Sequence, residues 1–250
     1  MANMVLKGLV LRAADYQESS RILTVLTDSR GKITVSAKGA LRRSSRIAAA
    51  SQPFDYSEMT LSESRDRFYL NEASTINLFA GITADVNTYA LGAYFLELLD
   101  TACPEGEEAA AGELALGLNA LWLLSEGKKS PALVKAAFEI RLMAQLGYRP
   151  ETDCCPVCGR TDPESPMLDL RGGSVYCRDC AAGNALLPVP LQPASLETLR
   201  YILSAPDGRV FSFSLGEEAE RRLGSAAERY VQEQLEHRFS TLDYYKTITI

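Results

Sequence analysis

Four cysteines form two Cys-x2-Cys pairs, Cys155/Cys158 and Cys177/Cys180, with 18 residues between the pairs. Four thiolates at this spacing can close a tetrahedral site around zinc and leave no position for an activated water. The chemistry predicted is structural, with one Zn2+ per chain. Gly159 eases the chain past the first knuckle. Cys154 offers a competing register as Cys-x3-Cys, but the run Cys155-Pro156-Val157-Cys158-Gly159 has the usual knuckle form and makes Cys155 the expected ligand. Two other readings are a redox dithiol and a vestigial site without metal. A redox pair is expected at a helix start in a βαβ setting, which this segment does not offer. Cys103, at the end of an expected helix, reads as a small core residue.

A second group is cationic. The stretch KGALRRSSR, residues 38–46, carries Lys38, Arg42, Arg43 and Arg46 with no acid among them, in a chain of net charge −6. Residues 1–50 hold nine Lys/Arg against three Asp/Glu, whereas residues 51–250 hold 17 against 29. A basic end on an acidic body suits an anionic polymer; neutralisation of one region by the other across an internal interface is the competing reading. Arg21, Arg30 and Lys32 lie on the neighbouring hairpin and are expected to extend the same positive surface. The cysteine segment does not compete for this role. Residues 151–180 contain three arginines against six acids, and a tetrathiolate zinc centre adds a further formal −2.

Catalytic patterns are missing. The single histidine, His237, lies late in an expected helix without a paired acid or nucleophile, and neither GxxxxGK[ST] nor GxGxxG occurs. No enzymatic activity is expected.

These groups need elements to hold them. Residues 22–27 and 32–38 flank the turn-rich 28–31 and read as a hairpin, and Ile33, Val35 and Ala37 alternate with Thr34 and Ser36 to give one buried face. Segments 5–13, 53–63 and 67–76 complete five short strands, which suggest a small antiparallel barrel of the OB-fold type, its closure left open. The basic stretch then falls between barrel strands, where the alternative to nucleic-acid contact is a solvated, flexible loop. OB barrels combine a positive groove with aromatic stacking; Phe54, Tyr56, Phe68 and Tyr69 are available, most of them as core.

From about residue 82 the pattern becomes helical, over 85–102, 105–127 with its acids at the start, and a helix opened by Ser130-Pro131 and closed by Gly147. Ser214 and Glu217 have capping-box spacing ahead of a helix running to about His237. The fold class is α+β in two domains. Residues 1–80 form the OB-fold DNA-binding domain and 81–250 a helical domain, with a zinc-binding insertion at 151–183 that could not build a core of its own. The most apolar stretch, 109–124, is interrupted by Glu113 and Asn119, so no membrane span is expected. The N-terminus lacks the pattern of an export signal, and a cytoplasmic protein is expected.

The sequence resembles the RecO family of bacterial recombination mediators along essentially its whole length. The resemblance rests on LVLRAADYQESSRILTVLTDSRGKITVSAKGALRRSSR, QPFDYSEM, GYRPETDCCPVCG and HRFSTLDYY, in that order. It implies an N-terminal OB-fold followed by a helical domain with a zinc-finger-like insertion. It implies a non-enzymatic role: binding single- and double-stranded DNA, annealing strands, engaging the acidic C-terminal tail of single-stranded-DNA-binding protein, and joining RecR to help load RecA. Lys38, Arg42, Arg43 and Arg46 match the family's basic stretch and inherit its DNA-contact role, and DNA-bound protein would associate with the nucleoid. Some members lack a complete cysteine set, which the resemblance reads as a structural role for zinc. The alternative is a zinc-stabilised adaptor whose basic loop meets an acidic protein tail without binding DNA. A Cys-x2-Cys oxidoreductase is the third reading.

Overall fold

The computed structural model describes residues 3–65, 67–106 and 110–249. The chain packs as two compact units, residues 1–126 with 240–250, and residues 127–239. The strand-to-helix change at about residue 80 therefore falls inside the first unit. No helix among the described residues is long and apolar enough to cross a membrane.

The first unit begins with five strands, β1 (Asn3–Tyr16), β2 (Ser20–Thr27), β3 (Lys32–Ala37), β4 (Tyr56–Ser64) and β5 (Arg67–Asn77). They close into a barrel in the order β1-β2-β3-β5-β4, with β4 returning to β1, the arrangement of an OB-fold. Alternation in β3 is as expected, with Ile33, Val35 and Ala37 buried and Thr34 exposed. Leu6, Val10, Leu23, Val25, Met59, Leu61 and Leu70 join them in the barrel core. The ladder of β1 with β2 shifts register between Val10 and Arg12, a bulge of the kind that lets a long strand bend around a barrel. Closure depends on a short parallel seam, in which β3 and β5 share, among the described residues, the pairs Val35↔Phe68 and Ser36↔Tyr69.

Two helices follow in the same unit, α1 (Val86–Ala102) and α2 (Ala111–Glu126), together with the C-terminal helix Ser240–Ile248. Asp85 caps α1 by accepting the Thr88 N–H at 2.8 Å. The Glu97 carboxylate of α1 accepts the Ser240 and Thr241 N–H groups, which fixes the start of the C-terminal helix. The acids expected to open α2 lie ahead of it. Glu105 precedes the helix, Glu107 and Glu108 fall outside the described residues, and Glu113 is the acid in the first turn. Cys103 is buried, as expected.

The second unit contains α3 (Pro131–Gln145), then the strands β6 (Pro166–Asp169) and β7 (Val175–Cys177), the single turn α4 (Arg178–Ala181), β8 (Pro188–Pro190), and the helices α5 (Pro193–Ser204) and α6 (Glu217–Gln234). The strands form one sheet in the order β7-β6-β8. Two local expectations fail. The capping box of Ser214 and Glu217 does not form, because α6 takes Gly216 as its N-cap and Glu217 as its first residue. The same helix ends at Gln234, before His237. Glu236 turns left-handed at φ 48° and the His237 N–H donates back to the Gln232 carbonyl at 3.2 Å, so the chain leaves the helix axis there. The exposed His237 ring instead meets Phe239 edge to face, 4.8 Å between centroids.

Candidate nucleic-acid interface and metal centre

The basic stretch joins β3 to β4 and is not a free loop. Ala40 and Ile47 are buried in the barrel core and pin it at two points. Between them the backbone is a chain of turns, with the Arg42 N–H donating to the Gly39 carbonyl at 3.1 Å and the Ser45 N–H to the Arg42 carbonyl at 3.0 Å. Gly39 takes φ 74°, a left-handed conformation that carries a cost for residues with a Cβ. The Leu41 N–H donates at 3.0 Å to the Ser19 carbonyl in the β1–β2 turn. Lys38, Arg42, Arg43 and Arg46 are all exposed on this frame.

The three remaining cations differ from expectation. Arg21 stands opposite Ala37, at the loop end of the β2–β3 hairpin. Its guanidinium is held by the Asp15 carboxylate at 2.9 Å and the Ser51 carbonyl at 3.1 Å, and the side chain is 16% exposed. It braces the far end of the loop. Arg30 and Lys32 sit at the opposite end of β3 from Lys38, about 20 Å away for six residues at roughly 3.3 Å each. Arg30 is exposed there. Lys32 is buried, with its ammonium 3.2 Å from the Asp100 carboxylate and hydrogen-bonded to the Asp100 carbonyl. A hairpin carries its two ends in opposite directions, so neighbours in sequence do not share one surface.

Beside the loop, the barrel carries a cleft of about 480 Å³. It is lined by Tyr16 at the end of β1, Ile22 on β2, Lys38 just after β3, and Arg67, Phe68 and Tyr69 at the start of β5. Strands β2 and β3 with the β1–β2 and β4–β5 turns are where OB-folds take oligonucleotides. Of the aromatics available by sequence, Phe54 is buried, Phe68 packs against the core and is partly accessible, and Tyr69 lines the cleft. Tyr16 and Arg67 are additions: Arg67 is reachable once β5 is known to lie along β3, and Tyr16 once the end of β1 is known to border the same cleft.

In the second unit the four sulfurs of Cys155, Cys158, Cys177 and Cys180 lie within 4.8 Å of one another, and Cys158 Sγ is 3.6 Å from Cys177 Sγ. Tetrahedral thiolates at about 2.3 Å from an ion would stand about 3.8 Å apart, so the cluster is compatible with a metal site. Cys154 is exposed and outside the cluster. The first knuckle turns at Gly159, at φ 71°, whose N–H donates to the Cys155 carbonyl at 2.9 Å. The second knuckle is β7 running into α4. Arg200 of α5 binds the Thr152 and Thr161 carbonyls and the Asp162 carboxylate, tying down the first. The buried Asp169 carboxylate accepts the Leu186 and Leu187 N–H groups at 2.9 and 2.8 Å and holds the chain after the second.

The four sulfurs act on one another's ionisation. Burial opposes ionisation of Cys155, but hydrogen bonds from the Cys158, Cys177 and Val157 backbones outweigh it and bring the thiol down to about 6. Burial and the neighbouring sulfurs push Cys177 up to about 12, and hydrogen bonding with Cys158 followed by burial pushes Cys180 up to about 11. One thiolate at Cys155 discourages ionisation of Cys177 and Cys180, and a dication held among the sulfurs would favour the thiolate forms together.

Two family models cover the chain, Recombination protein O N terminal over residues 1–79 and Recombination protein O C terminal over residues 83–243. DNA repair protein RecO of Acetivibrio thermocellus is 30% identical over 241 residues, covering 96% of this chain and 95% of that protein. The protein of the same name from Caldicellulosiruptor bescii is 29% identical, with 97% of each chain covered. The one from Bacillus pumilus is 32% identical over 194 residues, covering 78% of this chain and 74% of that protein. With an OB-type barrel at one end of the sequence and a helical region carrying a four-cysteine cluster after it, the chain belongs to the Recombination protein O family, whose role is in DNA repair and recombination.

Proposed function

We propose that this chain is a recombination mediator that binds DNA and carries out no chemical step of its own. The observation that carries the reading is an exposed, acid-free basic loop, anchored by Ala40 and Ile47 beside an aromatic and cationic cleft on a closed barrel. Phosphates of single- or double-stranded DNA meet Lys38, Arg42, Arg43 and Arg46, and release of their counterions supplies the affinity. By analogy with the family, RecR and the acidic C-terminal tail of single-stranded-DNA-binding protein are the protein partners, RecA loading is the outcome, and the cytoplasm, on the nucleoid, is the place. One structural zinc ion, held by Cys155, Cys158, Cys177 and Cys180, keeps the cysteine module in shape.

If each of the four loop residues neutralises one phosphate, together they contribute roughly −3 to the slope of log affinity against log salt on single strands, at about 0.7 per contact. Replacing Arg42, Arg43 and Arg46 by Ala flattens the slope by about 2 and leaves the fold intact. Fluorescence anisotropy with labelled single-stranded DNA over a salt series measures this, and an unchanged slope removes the loop from the mechanism. An acidic tail peptide is the second ligand in the same assay. Binding of the peptide without any binding of DNA makes the protein an adaptor instead.

A further inference from the structure

Two clefts on the barrel share one wall. The second, about 370 Å³, includes Ser36, Lys38, Ser62, Ser64, Tyr69 and Asn71 in its lining. Ser36, Lys38 and Tyr69 also line the aromatic cleft described above. At the divide, Lys38 Nζ lies 4.7 Å from the centroid of the Tyr69 ring, within cation–π range. The ammonium thus covers one face of the ring while Lys38 itself stays exposed. Tyr69 is held from both sides, since its backbone pairs with Ser36 on β3 and with Ser62 on β4. The ring is therefore carried on paired sheet backbone and not on a loop.

The two linings differ in chemistry. Tyr16, Ile22 and Phe68 make the first cleft aromatic and apolar, with Arg67 beside them. The second offers serine hydroxyls and the Asn71 amide, whose oxygen accepts the Ser62 hydroxyl at 3.3 Å, so that its nitrogen is the end available to a ligand. A ligand matching this sequence of surfaces has a flat π face, then an anionic link, then groups that form hydrogen bonds. A step along a nucleic-acid strand has that order. Its bases must be free, because in a duplex both faces are stacked and extruding a base costs a few kcal/mol.

We propose that Tyr69 and Lys38 form a nucleotide site selective for single-stranded DNA. A base stacks on Tyr69 in the first cleft, the following phosphate meets Lys38, and the next nucleotide enters the second cleft among Ser62, Ser64 and Asn71. This rests on the DNA-binding reading above and divides the labour within it. Arg42, Arg43 and Arg46, like Lys38, meet phosphates of either form, whereas the Tyr69 ring distinguishes a single strand from a duplex.

The test compares Tyr69→Leu, Tyr69→Phe and the unaltered protein, binding an oligothymidine and a duplex of equal length in anisotropy titrations. Tyr69→Leu is expected to weaken single-strand binding about tenfold, given what one base–aromatic stack contributes, while duplex binding stays close to that of the unaltered protein. Tyr69→Phe keeps the ring and is expected to keep single-strand affinity. Equal loss on both ligands, or no loss on the single strand, overturns the proposal. If Tyr69→Leu fails to fold, photocrosslinking of the unaltered protein to an oligonucleotide bearing 5-iododeoxyuridine decides the matter. Crosslinks at Tyr16, Phe68 or Tyr69 support the site, and crosslinks confined elsewhere overturn it. Should the unaltered protein bind no DNA at all, the reading under Proposed function fails as well, and that outcome differs from loss of selectivity alone.

Discussion

On the barrel, Lys38, Arg42, Arg43 and Arg46 are exposed while Ala40 and Ile47 anchor the loop that carries them. In the cysteine module the polar groups turn the other way. Four sulfurs converge, Arg200 binds two carbonyls and a carboxylate of the same unit, and Asp169 accepts backbone N–H groups from the loop behind it. A solvated cation held on a rigid frame is available to a phosphate at little cost. A converged, internally satisfied set is occupied with holding shape. On the function proposed above, the difference separates a surface for affinity from a module for stability, although both stand out in the sequence as clusters of reactive side chains.

The largest expected effect tests the module. If the four sulfurs hold zinc as proposed, chelation or Cys155→Ser removes a contribution on the order of 10 kcal/mol, and residues 151–190 should become protease-sensitive while the barrel stays protected. Limited proteolysis read by mass spectrometry checks this. Loss of the barrel at the same time would break the distinction.

The next test lies within the barrel. Lys32→Ala breaks the buried contact with Asp100 and is expected to cost about 2–4 kcal/mol in denaturant unfolding. The salt slope of DNA binding should not change. A flattened slope would return Lys32 to the interface.

A smaller effect is expected at Asp169. Burial raises its pKa, but hydrogen bonds from the Leu186, Leu187, Arg171 and Gly172 backbones lower it further than burial raises it. A carboxyl whose folded pKa lies below its unfolded value stabilises the protein at neutral pH, and that contribution is lost as pH falls through the folded value. Asp169→Asn should therefore cost about 1–3 kcal/mol at neutral pH, and the difference from the unaltered protein should shrink on acidification. Urea melts across a pH series measure it. The smallest effect is at Arg30, at the far end of β3. Arg30→Ala should leave stability within about 0.5 kcal/mol and the salt slope unchanged, and a measurable loss of affinity would extend the DNA path along the hairpin.

Much of the fold was legible because it is written in short-range pattern. The alternation of Ile33, Val35 and Ala37 placed one face of β3 inside, and the Cys-x2-Cys spacing named four cysteines whose sulfurs do converge. The Cys155 register could be chosen over Cys154 from a run of five residues, and Cys154 stands apart from the cluster. Helix ends were less legible. Gly216 displaced Ser214 as the cap of α6, because several turn-forming residues in a row offer competing starts.

The candidate interface was legible only in part. Residue types and strand periodicity were enough to identify the basic loop and to lay out the barrel strands, since both depend on neighbours a few residues apart. Closure was not, because it depends on a parallel pairing of β3 with β5 that joins residues more than 30 positions apart. That seam brings Tyr16, Lys38, Arg67 and Tyr69 around one cleft. Long-range packing likewise turned Lys32 inward to Asp100 and tied Arg21, already paired with Asp15 across the β1–β2 turn, to the Ser51 carbonyl, while Lys38, Arg42, Arg43 and Arg46 stay exposed. The sign of a charge can be read from the chain, but whether that charge is free for a partner depends on which distant groups folding brings against it.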